Sequence, residues 1–148
     1  MSDNDKSSIL TCTTNIKVEF YDVDSMNIVY HGNYVKYLEV ARCRLLEKIG
    51  YSYNNMKEDG YGYPIVKMDM KYISPAFFGD ELSIKASVDS YEGLFKVKYL
   101  IENLTTKKIC AKGSTSQAAI RISDLLTLFT INEEFLNKIN EFINKSSK

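Results

Sequence analysis

Asp22 and Asp24 stand two residues apart, and the chain's only histidine, His31, follows seven residues after Asp24. A carboxylate in a turn can act as a general base or as a nucleophile. The residues after His31 read as the start of a helix. The first amides of a helix lack partners and, with the helix dipole, can take a developing negative charge. A carboxylate beside such a helix start can therefore run chemistry at an electrophilic carbon. No second histidine or cysteine cluster accompanies His31, so the spacing offers no metal site. There is no GxGxxG or GxxxxGK[ST] loop, and neither dinucleotide nor P-loop chemistry is indicated.

The elements that must hold these residues can be read on either side. Ile16, Val18 and Phe20 alternate with Lys17 and Glu19, which predicts a strand over Thr11 to Phe20 with one dry face. Asp22, Asp24, Ser25 and Asn27 interrupt it as a tight turn. Asn33 is placed to cap a helix. Tyr34, Leu38, Ala41, Leu45 and Ile49 fall on one face of that helix, widened by Tyr37, Cys43 and Leu46, and Gly50 ends it. Such a broad apolar face predicts a helix held against a curved sheet.

Further along, a short helix is expected at Tyr53 to Asp59. Strands follow on Ile65 to Ile73, Leu82 to Val88 and Phe95 to Ile101, with a hairpin turn at Glu92-Gly93. Lys108 to Ile122 reads as one last strand rich in small residues. A helix from Asn132 to Ile143 closes the pattern, with Phe135, Leu136, Ile139, Phe142 and Ile143 on one side. Consecutive strands late in the chain favour an antiparallel meander. The expected organisation is a flexible start over residues 1–10, a domain over 11–123, and a helical extension over 124–148 packed on the same domain.

Composition narrows the class. With 148 residues, one domain with a sizeable core is expected. Lysine plus arginine equals aspartate plus glutamate at 19 each, giving zero formal net charge, which argues against a dedicated nucleic-acid binder. The three cysteines, Cys12, Cys43 and Cys110, form no CxxC pair and suit a reducing, cytoplasmic setting. No run approaches a membrane span, and the first ten residues lack signal-peptide character.

The stretch Phe20-Tyr21-Asp22-Val23-Asp24-Ser25-Met26-Asn27-Ile28-Val29-Tyr30-His31-Gly32-Asn33-Tyr34, continued by Tyr37, Glu39, Ala41 and Arg42, resembles the hotdog-fold acyl-CoA thioesterases. The similarity is to the group around 4-hydroxybenzoyl-CoA thioesterase and the bacterial Tol–Pal-associated acyl-CoA thioesterase. Tyr72-Ile73-Ser74-Pro75-Ala76-Phe77-Phe78-Gly79-Asp80 is similar to that family's second recurrent segment. The resemblance covers roughly Ile16 to Ile122. It implies an α+β hotdog fold: a five-stranded antiparallel sheet wrapped around a long central helix, here with an added C-terminal helix. It also implies a dimer, in many relatives a dimer of dimers, and hydrolysis of a coenzyme A thioester without a metal or other cofactor, coenzyme A being part of the substrate. The unpaired edges of a five-stranded sheet favour a dimer on their own account.

Asp24 matches the family's catalytic aspartate, and His31 matches the position whose backbone amide can face the thioester carbonyl. Asn27 departs from the pattern, since glycine is common there, yet asparagine tolerates positive φ. Asp22 is expected to accept turn amides and so aim Asp24. Tyr30, Gly32, Asn33 and Tyr34 are expected around the substrate pocket, with Tyr72, Ser74 and Pro75 on the opposite wall, in the same subunit or a partner's. Tyr30 and Tyr34 serve equally well as core aromatics. Glu39 can pair with Arg42. Lys67, Lys71, Lys96, Lys98 and Arg121 can meet phosphates or simply solubilise a strand. The competing functions are hydrolysis of an acyl-carrier-protein thioester and non-catalytic acyl binding by a hotdog dimer.

Overall fold

Period-two alternation builds the main layer of the molecule, seen here in a computed structural model that describes residues 9–146. Strands β1 (Thr11–Lys17), β3 (Ile65–Tyr72), β4 (Glu81–Ser90), β5 (Phe95–Asn103) and β6 (Lys108–Gln117) form one antiparallel sheet in the order β1-β4-β5-β6-β3. The inward positions of β4 and β5 carry Leu82, Ile84, Ala86 and Val88 against Phe95, Val97, Tyr99 and Ile101, all buried. Their outward neighbours are mostly lysine and serine, so one face is dry and the other wet.

Helix α1 (Tyr34–Ile49) fills the dry side and packs on β1 and β4. Leu38, Ala41, Leu45 and Leu46 on this helix are fully buried or nearly so. Truncating a leucine in such a position costs about 2–5 kcal/mol. Gly50 adopts φ 97°, and its amide and that of Tyr51 return to Leu46, closing the helix in the left-handed cap expected from the sequence. This five-stranded sheet around one long helix is the hotdog fold.

Three short strands were not foreseen. The expected last strand over Lys108 to Ile122 breaks at Ala118, whose amide bonds the Pro64 carbonyl instead of continuing the ladder. Beyond the break, β7 (Ala119–Arg121) pairs with β2 (Tyr61–Gly62) and β8 (Leu126–Leu128) in a second sheet ordered β2-β7-β8. Gln117, Ala118 and Ala119 are buried in succession at the corner, but this stretch is built of small residues, and no bulky apolar pattern marks the change of sheet in the sequence. Leu126 and Leu128, expected within a helical extension, are extended because they pair with β7.

Helix α2 (Tyr53–Glu58) begins on Ser52, which accepts the Asn55 amide. Helix α3 (Glu133–Ser146) buries Phe135, Ile139 and Ile143 in the common core. Phe135 stacks on Tyr51 and meets Tyr63 and Phe95 edge-on or tilted. Asn132 ahead of it is buried, donating to the Tyr51 hydroxyl and accepting from the Tyr63 hydroxyl. Of the expected flexible start, residues 1–8 lie outside the described residues. Leu10, at the end of that stretch, is buried in the core, and its carbonyl accepts from the Val88 amide.

Candidate active site

Two loops meet where β1 ends. The first carries Asp22 and Asp24, the second runs from Ser74 to Asp80. Ile28 bridges Phe77, the Val29 amide donates to Ala76, and the Phe78 amide donates to Asn27. Asn27 sits at φ 66°, so asparagine does adopt the left-handed turn conformation that glycine usually fills. Asp80 ties the second loop from below, accepting from the Phe77 amide and from the Asn103 side chain. Both Asp80 and Asn103 are buried, and neither stood out in the sequence as more than turn residues.

Asp24 is exposed at the tip of the first loop. Its Oδ1 accepts the amides of Met26 at 2.8 Å and Ile28 at 3.2 Å, and its own amide donates to the Ile28 carbonyl. One carboxylate oxygen therefore holds the turn, and Oδ2 is the oxygen left for a ligand or water. Asp22 is buried, and its Oδ2 accepts the Glu19 amide as expected of a turn-building acid. Its carbonyl accepts from the Tyr30 amide and from Asn33 Nδ2 at 2.7 Å.

That last bond corrects the role expected of Asn33. Its backbone is already helical and its side chain makes no cap. A 3-10 turn, His31–Asn33, precedes α1, so the helical segment starts at His31 with Tyr30 in the cap position. Asn33 instead clamps the turn of Asp22 to the helix start. Glu39 is also reassigned: it is exposed, while Arg42 turns inward and donates to the hydroxyls of Tyr53 at 2.7 Å and Tyr99 at 3.3 Å. No ion pair joins Glu39 to Arg42 among the described residues.

A chamber of about 250 Å³ opens beside the helix start. His31 and Tyr34 form one wall, Tyr72, Ser74 and Pro75 the other, over a floor of Ile28 and Val29. The Tyr72 hydroxyl donates to the His31 carbonyl at 3.2 Å, and the Tyr72 ring meets those of His31 and Tyr34 edge-on. Ser74 spends its hydroxyl on the Ile109 carbonyl, so it shapes the wall and is not poised as a nucleophile. Burial, and then the neighbouring Cys110 and Tyr72, hold the Tyr34 hydroxyl protonated far above the usual phenol range.

Tyr30, Gly32, Asn33 and Asp24 do not line this chamber. Tyr30 is half exposed and packs against the His31 ring, tilted by 42° with centroids 4.4 Å apart. Gly32 explains how it can: a Cβ there would meet the Tyr30 ring at 2.7 Å. Gly32 thus gives the aromatic its place over the helix start. Tyr37 completes the aromatic row, T-shaped against Tyr34 at 5.6 Å. Its hydroxyl is buried beside the Asp22 carboxylate, and burial, then Asp22, raise its pKa.

Residues 18–139 match the model of the thioesterase-like superfamily. The chain belongs to that family. Its members are hotdog-fold thioesterases, as the recurrent segments around Asp24 and Ser74 led one to expect. Over 84 residues it is 33% identical to the putative acyl-CoA thioesterase YneP of Bacillus subtilis, a match covering 57% of this chain and 60% of that one. The acyl-CoA thioester hydrolase YbgC of Escherichia coli O6:H1 is 30% identical over 78 residues, 53% of this chain and 58% of that one. The matched stretches thus span about three fifths of these two relatives. A DHNA-CoA thioesterase from Staphylococcus aureus superposes with a TM-score of 0.78 at 26% identity, over 93% of this chain and 95% of that one. Among the described residues, no helix of this family member is long and apolar enough to cross a membrane.

Proposed function

We propose that this chain hydrolyses an acyl-CoA thioester to a carboxylic acid and free coenzyme A. The observation that carries the proposal is the helix start at His31, open to a small chamber, beside a loop that presents the Asp24 carboxylate. Three relatives named for coenzyme A thioester hydrolysis support it.

In this mechanism the thioester carbonyl lies against the first amides of the His31 turn. Those amides and the dipole of α1 stabilise the oxyanion as the carbonyl carbon becomes tetrahedral. Asp24 Oδ2 either attacks the carbon, giving a mixed anhydride that water then opens, or draws a proton from an attacking water. In both routes the C–S bond breaks and the thiolate leaves with a proton. The thiolate is a good leaving group, so no metal-activated water is required. The imidazole of His31, packed against the tilted ring of Tyr30, orients the acyl group at the chamber mouth.

We further propose that the chain works as a homodimer, in which a second copy covers the loops. The free edge of β3 supports this, as do Phe20, Tyr21 and Met26, exposed at 76%, 78% and 71% around the reactive turn. Sizing the protein in solution tests it, and a monomer at micromolar concentration would refute it.

The decisive assay is thiol release from acetyl-, medium-chain, long-chain and aromatic acyl-CoA, run beside Asp24→Asn. Hydrolysis of at least one class, lost in the variant, is the expected result. A flat response to every substrate would count against the hydrolase and for an acyl-binding role.

A further inference from the structure

The outer face of the main sheet concentrates charge that the chain as a whole does not have. Formal net charge is zero, yet Lys67, Lys71, Lys85, Lys96, Lys98 and Lys112 all project from neighbouring strands on this one face, each exposed. Two carboxylates stand among them: Asp69 pairs with Lys67 and Asp89 with Lys98. Lys71, Lys85, Lys96 and Lys112 have no ion pair among the described residues. Glu102 lies one row beyond Leu100, opposite Ser83, and Glu81 lies one row further, where it faces Lys17 of β1.

The register makes the arrangement costly. Lys85, Leu100, Lys112 and Lys71 form one row across four strands, and Lys71 stands directly opposite Lys112. Like charges in directly opposed cross-strand positions destabilise a sheet. A depression of about 340 Å³ lies on this row, with Leu100 in its floor and Lys85, Lys98 and Lys112 around it. Nothing in the chamber on the other side of the sheet uses these lysines.

We infer that the outer face of the β4-β5-β6-β3 sheet docks an acidic surface of another protein, one apolar side chain of which seats on Leu100 between the lysines. Charge complementarity chooses this occupant. A second copy presenting the same face would set lysine against lysine. A nucleic-acid partner is favoured by arginine forks and stacking aromatics, and this face has neither. A lipid surface is favoured by aromatic anchors beside the cations, and these too are missing from the face. Lysine point charges around one apolar seat suit diffuse carboxylates, and they would steer the encounter and set its register.

The test uses the full chain and labelled poly-L-glutamate at low salt, followed by fluorescence anisotropy. Parallel titrations use phosphatidylglycerol–phosphatidylcholine vesicles and duplex DNA. Binding to the glutamate polymer is expected, weakened at least about tenfold by K85E/K112E and unchanged by K57E/K145E, which makes the same charge change off the face. Thioester hydrolysis should be unaltered in K85E/K112E, so this proposal and the hydrolase reading fail separately. The milder K85Q/K112Q keeps the test open if charge reversal unfolds the sheet. K112Q alone should raise the melting temperature by removing the opposed pair. Equal losses in both double variants would overturn the inference. So would binding of vesicles or DNA without the glutamate polymer, or a melting temperature lowered in K112Q.

Discussion

Tyr72, at the end of β3, donates its hydroxyl to the carbonyl of His31 in the 3-10 turn that leads into α1. The bond ties the sheet edge to the helix start whose amides would receive the oxyanion. Tyr72→Phe should lower turnover about fivefold, the worth of one partly exposed hydrogen bond of about 1 kcal/mol, with little change in KM. Steady-state kinetics on the preferred acyl-CoA checks this; a change confined to KM would make Tyr72 a binding residue only.

Asp24→Asn separates charge from geometry. The asparagine oxygen can still accept the amides of Met26 and Ile28, so the turn should survive. Turnover should nevertheless drop by at least about 100-fold, the scale of lost acid–base or nucleophilic help. Asp24→Ala should lose the turn as well, and its melting temperature should be lower than that of Asp24→Asn. Near-normal turnover in Asp24→Asn would remove this residue from the mechanism.

Gly32→Ala places a methyl group against the Tyr30 ring. Because Tyr30 is half exposed, the ring can swing away, and stability should change by less than about 1 kcal/mol. Activity should suffer more than stability, since the ring leaves His31. Pairing the change with Tyr30→Ala should then add little beyond Tyr30→Ala alone, a coupling that a double-mutant cycle measures.

Tyr99→Phe should be destabilising by about 1–3 kcal/mol, because it strips a partner from a buried guanidinium and from Thr115 at once. Burial pushes the Tyr99 hydroxyl up, so it stays a neutral partner at physiological pH. Chemical denaturation of the variant, with Tyr53→Phe for comparison, measures the share each phenol contributes to holding Arg42.

Alkaline pH should unfold the protein through its buried phenols. Burial raises Tyr63 from 10.0 to about 12, and Tyr34, Tyr37 and Tyr51 move in the same direction. The unfolded chain then loses these protons before the folded one does. Their contribution is whole below pH 10 and is lost as pH rises towards 12 and beyond. Tyrosinate absorbance and circular dichroism should change together in that window. Tyrosinate formation in a protein still folded above it would contradict the burial of these groups.

The strands, the long helix and its Gly50 stop were legible in the sequence because each obeys a single period and a single cap rule over many residues. The second sheet was not, because the corner at Ala118 falls in a run of small residues with no bulky apolar pattern to mark the change of sheet. Asn33 was misjudged for a related reason. A side chain one residue before a helix looks like a cap, and only the fold shows that the Asp22 carbonyl lies 2.7 Å away. Glu39 and Arg42 have helical pairing distance, yet the phenols of Tyr53 and Tyr99, far off in sequence, claim the guanidinium.

By itself the sequence determined the local conformations: a turn that needs an acid and a tolerant asparagine, a helix start after His31, and strands with one dry face. Those follow from steric limits on φ, from orphan amides and from apolar period, all of which act over a few residues. Tertiary structure decided which distant groups meet. It set Tyr72 on the His31 carbonyl, Arg42 among phenols, and a row of lysines on the outer sheet face. Register and packing arise only when strands far apart in the chain pair, and no local rule contains them.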